Sequence, residues 1–451
     1  MRRKSRMNRG NRIHRFQAPQ KGLKWSTFPC VIVRRIVSQV ALLGLALSVT
    51  PIAQAVPDSG TEKQVNAIAA PGAPMRVRPY DVEYPFGPEY PDVREVTGLD
   101  THPEMFTKTC TQGPVGDVAL DSGDKQRVML TAGHCVTGIS DQGVLMGQDV
   151  YAPVRGGYQR VGGTGLVHTV NVPSGYDGLS TSLRKARNST DWGIVVLDPS
   201  TPADGAAASR DKFGGHPSTP VPMTGVRDYP TLAPGQIRLD NFGQPLCKDG
   251  AMGARKCGYQ LAYNSDTVWS WALDYKPGDS GGVNYDPKTG KIVGMTSLGI
   301  GPLGAAQRAD RALEEGYGIP DGQVNEKFSP APPADERADF VPGEEEKAEI
   351  EQYLRDKNPG LPEEAITPPS PKEQFDGVVS AAQRDAATIA DDTRTLAVSA
   401  TVALATGGAT PAEVGDTVNR FGTIAGSYAS AHADNIASAG LNWALDELGY
   451  N

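Results

Sequence analysis

Of the six histidines in the 451-residue sequence, His134 has the most suggestive setting. It lies in Thr131-Ala-Gly-His-Cys135, directly after the strand-like run Val128-Met-Leu130. An imidazole can take a proton near neutral pH. Asp191 opens the apolar run Asp191-Trp-Gly-Ile-Val-Val196. At such a strand mouth a carboxylate can point inward, where burial is tolerated only with a partner. Ser280 lies in Lys276-Pro-Gly-Asp-Ser-Gly-Gly282, where glycines permit a tight loop and leave the hydroxyl unobstructed. A hydroxyl, an imidazole to deprotonate it and a carboxylate to fix the tautomer are the parts needed for acyl transfer without a metal. The backbone N–H groups of Gly278 and Ser280 can converge on the developing oxyanion. Taken singly, each segment has a blander reading: a polar niche for His134, an ordinary turn residue for Asp191, a glycine turn for Ser280.

The elements that must position these groups are short. From about 106 to 320 the sequence consists of β-type runs such as Arg127-Val-Met-Leu-Thr-Ala132, Gly193-Ile-Val-Val-Leu197 and Lys291-Ile-Val-Gly-Met-Thr-Ser297, separated by Gly, Pro, Asp and Asn. Many short strands with frequent turn signals predict a sandwich or barrel. The 52 glycines and 36 prolines favour such a body over an all-helical one.

In the order His, Asp, Ser, the three segments together resemble the trypsin/chymotrypsin superfamily, in particular its exported bacterial branch of streptogrisins and α-lytic protease. The likeness spans about 106 to 320, under half of the chain. It implies a mainly β fold of two antiparallel six-stranded β-barrels with the active site between them. His134 and Asp191 would come from the first barrel and Ser280 from the second. The implied activity is a secreted serine endopeptidase acting on polypeptides through an acyl-enzyme. The resemblance also implies disulfides Cys110–Cys135 and Cys247–Cys257, and a pairing of Lys248 with Asp279. No Ile-Val-Gly-Gly start is present, so the animal-type activation mechanism is not expected. Ser297, Leu298 and Gly299 resemble the segment that pairs with substrate backbone. Asp274, six residues before Ser280, falls where trypsins place a pocket-floor carboxylate, which would favour Arg or Lys before the scissile bond. A solvated loop Asp is the alternative: no cysteine follows Asp274, and the glycine-bearing strand that closes the pocket is not recognisable.

The rest of the chain sets the context. Residues 1–55 read as a secretory signal, with a long basic stretch, an apolar run from Ile36 to Val49 and a small-residue site ending at Ala55. That run is shorter than the ~20 residues that span a bilayer, so no stable membrane span is expected. Cys30 lies in this segment, leaving four cysteines, an even set suited to an oxidising compartment. Residues 56–105, rich in Pro, Tyr and Asp, form either a pro-segment, which would make the chain a zymogen, or an extended N-terminal arm. The protease-like body is placed at 106–325. A Pro/Glu-rich linker follows at 326–371, with one helix expected from Glu344 to Lys357. An Ala-rich helical hairpin occupies 372–451, its second helix opened by the capping box Thr410-Pro-Ala-Glu413. Packing within the protein is the simple role for this tail; a cell-wall or protein partner is the other. A net charge of −8 gives no sign of a nucleic-acid partner, and no metal or organic cofactor is suggested. Two other classes stay open: a retired protease-like binding protein, and a cell-envelope adapter led by the tail.

Overall fold

The structure, a computed structural model, describes residues 66–79, 100, 107–140, 143–145, 148–172, 184–233, 235–300, 302–366 and 369–448. The proposed signal at 1–55 lies outside them, as do 56–65, 80–99 and 101–105 of the following segment. All described residues fall in one unit, 63–451.

Two sheets carry the fold. Their strands, apart from two small two-stranded sheets, are β1 (Pro74–Pro79), β2 (Lys108–Thr111), β3 (Val115–Ala119), β4 (Lys125–Ala132), β5 (Gln148–Val154), β6 (Gly157–Val170), β7 (Thr190–Leu197), β8 (Gly225–Val226), β9 (Pro245–Gly250), β10 (Ala254–Tyr263), β11 (Thr267–Trp271), β12 (Val283–Tyr285), β13 (Lys291–Ile300), β14 (Leu303–Arg308) and β15 (Phe328–Pro330). The helices are α1 (Gly133–Val136), α2 (Ala309–Tyr317), α3 (Val324–Lys327), α4 (Gly343–Lys357), α5 (Glu363–Ile366), α6 (Pro371–Ala405) and α7 (Pro411–Glu447).

The second sheet runs β8-β13-β12-β9-β10-β11-β14, and β13 also pairs with β14. That pairing closes six strands into a barrel, with β8 added in parallel at β13. The first sheet has eight strands in the order β15-β3-β4-β7-β6-β5-β1-β2, and among the described residues no ladder joins its ends. Here the expectation of two six-stranded barrels is corrected: one barrel is closed and the other sheet is open. The six strands expected from 106–200 are present as β2 to β7. However, β1 from the 56–105 segment occupies the edge of β5 and separates it from β2, while β15 occupies the edge of β3.

Strand alternation fills the core from both faces of the open sheet. On β4, Val128 and Leu130 face one cluster, shared with barrel residues Val283, Tyr285 and Met295 and with Leu313 of α2. Met129 between them faces a second cluster with Met75, Val77, Cys110 and Val195. The barrel has its own interior, including Leu246, Val268, Leu273 and Tyr275. Both disulfides form in the expected pairs, Cys110–Cys135 and Cys247–Cys257, across 25 and 10 residues. Loop closure at those spacings stabilises by about 3.5 and about 2.7 kcal/mol in the chain-entropy picture.

The segments on either side are docked on this body. Gln112, fully buried, donates to the carbonyls of Ile68 (3.1 Å) and Pro74 (3.0 Å) and accepts from Ala70 N–H (2.8 Å). The α4 helix begins one residue before the predicted Glu344, and its buried Glu346 pairs with buried Arg76 of β1. Helices α6 and α7 each start with a complete capping box, Ser370/Glu373 and Thr410/Glu413. They pack together, with Phe375 and Trp443 rings 5.2 Å apart, yet Val398, Val402, Val418, Ile424 and Tyr428 stay exposed.

Candidate active site

The β4 strand ends at Ala132, and the single turn α1 then presents His134. Gly133 permits this approach: a Cβ there would lie 2.5 Å from Thr169 Cγ2 and 2.8 Å from the Trp192 carbonyl. Asp191, at the start of β7, is fully buried. Its Oδ1 accepts from the His134 backbone N–H at 2.7 Å, and its Oδ2 lies 2.7 Å from His134 Nδ1. One carboxylate therefore fixes both the turn and the ring. The imidazole remains about one-third exposed, at 34%.

Three further groups hold this pair, none of them singled out by sequence for that role. Ser297 Oγ donates to Asp191 Oδ2 at 2.5 Å. Ser297 is the extra residue of a bulge in β13: Thr296 pairs with Ala306 and Leu298 with Ala305. Bulges re-aim side chains in this way, so the hydroxyl turns to Asp191. Gln307 accepts from the Asp191 N–H and donates to the Asp266 carbonyl at 2.7 Å. Lys108 donates to the carbonyls of His134 (2.6 Å) and Thr137. Burial pulls the Lys108 ammonium below its usual range, against the opposing pull of Asp191.

Ser280 sits in consecutive tight turns, Asp279 N–H to Lys276 O (2.9 Å) and Gly282 N–H to Asp279 O (3.0 Å). Gly278 and Gly281 have φ of 92° and 85°, a region that glycine enters without strain. Gly281 also packs so closely that a Cβ would lie 2.4 Å from Thr131 Oγ1. The loop is thus pressed against the strand leading into His134. Thr111, next to disulfide-bonded Cys110, ties it further: its N–H donates to Ser280 O (2.8 Å) and its hydroxyl to Gly278 O (2.7 Å). Gly281 N–H donates to Thr296 O at 2.7 Å, beside Ser297. Among the described residues, the N–H groups of Gly278 and Ser280 have no acceptor. The Ser280 hydroxyl and His134 Nε2 make no hydrogen bond to each other there either.

Beneath the loop, Asp279 and Lys248 form a fully buried ion pair, as the sequence reading expects. Asp279 also accepts from the N–H groups of Met252 (3.0 Å), Gly253 (2.8 Å) and Lys276 (3.0 Å). Burial pulls the Lys248 ammonium below its usual range, and Asp279 opposes this.

The strand that sequence did not identify is β14. Gly304 pairs with Gly299 of β13, and the Tyr275 ring lies against both. A Cβ on Gly304 would be 2.1 Å from Tyr275 Cε2, and one on Gly299 would be 2.6 Å from Tyr275 Cβ. The Tyr275 hydroxyl bonds to Asn284. Asp274 adopts a φ of 47°, and its Oδ1 is buried without a partner. Leu298 is half-buried and Gly299 exposed along this edge.

No protein-family model matches the sequence, and no curated protein matches it. Solved structures do match, among them chymotrypsin-like serine proteases. Chymotrypsin of Cellulomonas bogoriensis is 18% identical, with 46% of this chain and 87% of that one covered at a TM-score of 0.28. A thermostable serine protease, AL20, from an extremophilic microorganism is 16% identical, with 47% and 89% covered at 0.26. The VesB protease of Vibrio cholerae is 14% identical, with 56% and 65% covered at 0.27. At such identities and scores these likenesses carry no argument about this chain, whose chemistry rests on its own geometry.

Proposed function

We propose that the protein is a secreted serine endopeptidase in which Ser280 attacks the scissile carbonyl, His134 is the general base and Asp191 orients it. The observation that carries this reading is the fully buried Asp191 holding both the backbone and Nδ1 of a partly exposed His134. With Nδ1–H donated to Asp191, Nε2 is the basic nitrogen, as proton transfer from a serine hydroxyl requires. Ser280 Oγ adds to the carbonyl carbon and its proton passes to His134 Nε2. The oxyanion is received by the unengaged N–H groups of Gly278 and Ser280. His134 then returns the proton to the leaving amine, and water repeats the sequence on the acyl-enzyme. The bond between the hydroxyl and Nε2 forms as substrate closes the site, since such bonds commonly tighten only in the complex.

Export rests on the signal-like 1–55 segment and on two disulfides. The place of β1 inside a sheet favours an arm over a removable pro-segment for residues 74–79. Two readings of specificity have support. The unpartnered Asp274 Oδ1 favours Arg or Lys before the scissile bond. The Tyr275 ring against Gly299 and Gly304 favours a small residue there. In either case the substrate is a polypeptide, and among the described residues no helix is long and apolar enough to cross a membrane.

Treatment with a fluorophosphonate, followed by peptide mass mapping, tests the proposal. The expected adduct is on Ser280 and disappears in His134→Ala. No adduct on Ser280, or one indifferent to His134, overturns the assignment and returns a binding protein to first place. On labelled-competent protein, paired esters with Arg or Ala before the scissile bond then separate the two specificities.

A further inference from the structure

Away from the candidate active site, three carboxylates from separate segments converge. Asp228 follows β8, Glu314 lies on α2 and Asp321 lies in the turn after α2. Each contributes an oxygen within 4.8 Å of the others. Glu314 is 7% exposed, and its Oε1 is buried with no hydrogen-bond partner. Among the described residues no Lys or Arg forms an ion pair with any of the three. The nearby guanidinium of Arg308 is committed to Asp310 and to the carbonyls of Tyr229 (2.7 Å) and Asn264 (3.1 Å). Asp310, itself paired with Arg308, also stands near Glu314. The backbone relieves the two aspartates in part: Val324 N–H reaches Asp228 at 3.4 Å, Gly322 also supports Asp228, and Thr231 N–H donates to Asp321 at 3.1 Å.

A buried, ionised carboxylate beside two others is costly unless a proton or a cation completes it. We infer that Asp228, Glu314 and Asp321 form a site for Ca²⁺. The donors are all hard oxygens, without the imidazole or thiolate that zinc or copper prefers. Two oxygens each about 2.4 Å from one Ca²⁺ can be at most about 4.8 Å apart, so the spacing fits a shared calcium sphere. Asp321 is exposed, which gives the ion an entry side and leaves room for water ligands. Bound there, Ca²⁺ ties the loop after β8 to α2 and to the turn that follows it. Leu313, beside Glu314, belongs to the core shared by both sheets, so the ion would brace that core without touching the candidate active site.

Calorimetric titration of CaCl₂ into chelator-treated full-length protein tests the inference, with MgCl₂ run in parallel. One saturable Ca²⁺ site is expected, in the range of about 10⁻⁴–10⁻³ M typical of extracellular sites. Glu314→Gln should weaken it at least about tenfold, because affinity follows ligand charge. A calcium-dependent rise in the unfolding midpoint should vanish with it. Should Glu314→Gln fail to fold, Asp321→Asn, at an exposed position, is expected to give the same loss. Absence of saturable binding to about 10 mM, wild-type affinity in the variant that folds, or binding of Mg²⁺ as tight as that of Ca²⁺ would each overturn it.

Discussion

The open sheet and the closed barrel hold their halves of the candidate site by different means. In the open sheet His134 and Asp191 stand at the buried ends of two paired strands, and their geometry follows from strand register. The barrel instead carries Ser280 on an irregular loop, which needs two positive-φ glycines and a buried ion pair to hold its shape. Closure by β13–β14 pairing removes the barrel's free edges. The open sheet is completed by strands from outside the predicted body, β1 and β15. Strand ends suffice for a base and its orienter, whereas a nucleophile with an oxyanion site needs exposed backbone N–H groups that no ladder can spare.

Replacing Lys248 with Met tests the barrel half most severely. It leaves Asp279 charged and unpaired in the interior, so urea unfolding should show a loss of about 3–5 kcal/mol. The double variant Lys248→Met/Asp279→Leu should recover only part of this, because Met252, Gly253 and Lys276 lose their acceptor. Full recovery with full activity would mean the ion pair does not shape the loop.

On the open-sheet side, Gln112→Ala removes the partner of three backbone groups that hold the segment entering β1. A loss of about 3 kcal/mol is expected by the same unfolding measurement, since unsatisfied buried groups are costly. Loss of under about 0.5 kcal/mol would show that the open sheet does not depend on its borrowed strand. The smallest effect is expected at the contact between the halves. Ser297→Ala should lower kcat by about tenfold or somewhat more, with KM nearly unchanged, through loss of a charge-assisted hydrogen bond to Asp191. An altered KM at constant kcat would instead assign Ser297 to substrate binding.

Much of the site could be read along the chain because its chemistry is written in local runs. His134 beside a half-cystine, Asp191 opening an apolar strand and Ser280 between glycines are each recognisable within seven residues. Both disulfides and the Lys248–Asp279 pair followed from the resemblance those runs support. Helices α4, α6 and α7 were legible for a similar reason: charge, capping boxes and spacing are local signals. Thr111, Gln307 and Lys108 were not, because each acts on a residue distant in sequence and carries no motif of its own. Gly304 was missed because a short glycine-containing run cannot announce which strand it will face. The open sheet was missed because β1 lies in a Pro-rich stretch that local rules read as an arm.

By itself, then, the sequence determined which groups could do chemistry, the β character of the body and the helical tail. These depend on residue type, period and capping, all set within a few positions. Only the tertiary structure decided that the first sheet stays open and that Ser297 turns to Asp191 at a bulge. The Tyr275 ring against Gly299 and Gly304, and the meeting of Glu314 with Asp228 and Asp321, were decided there too. Each of these depends on strand pairing and close approach between segments far apart in the chain, where packing and the need to satisfy buried polar groups select the partner.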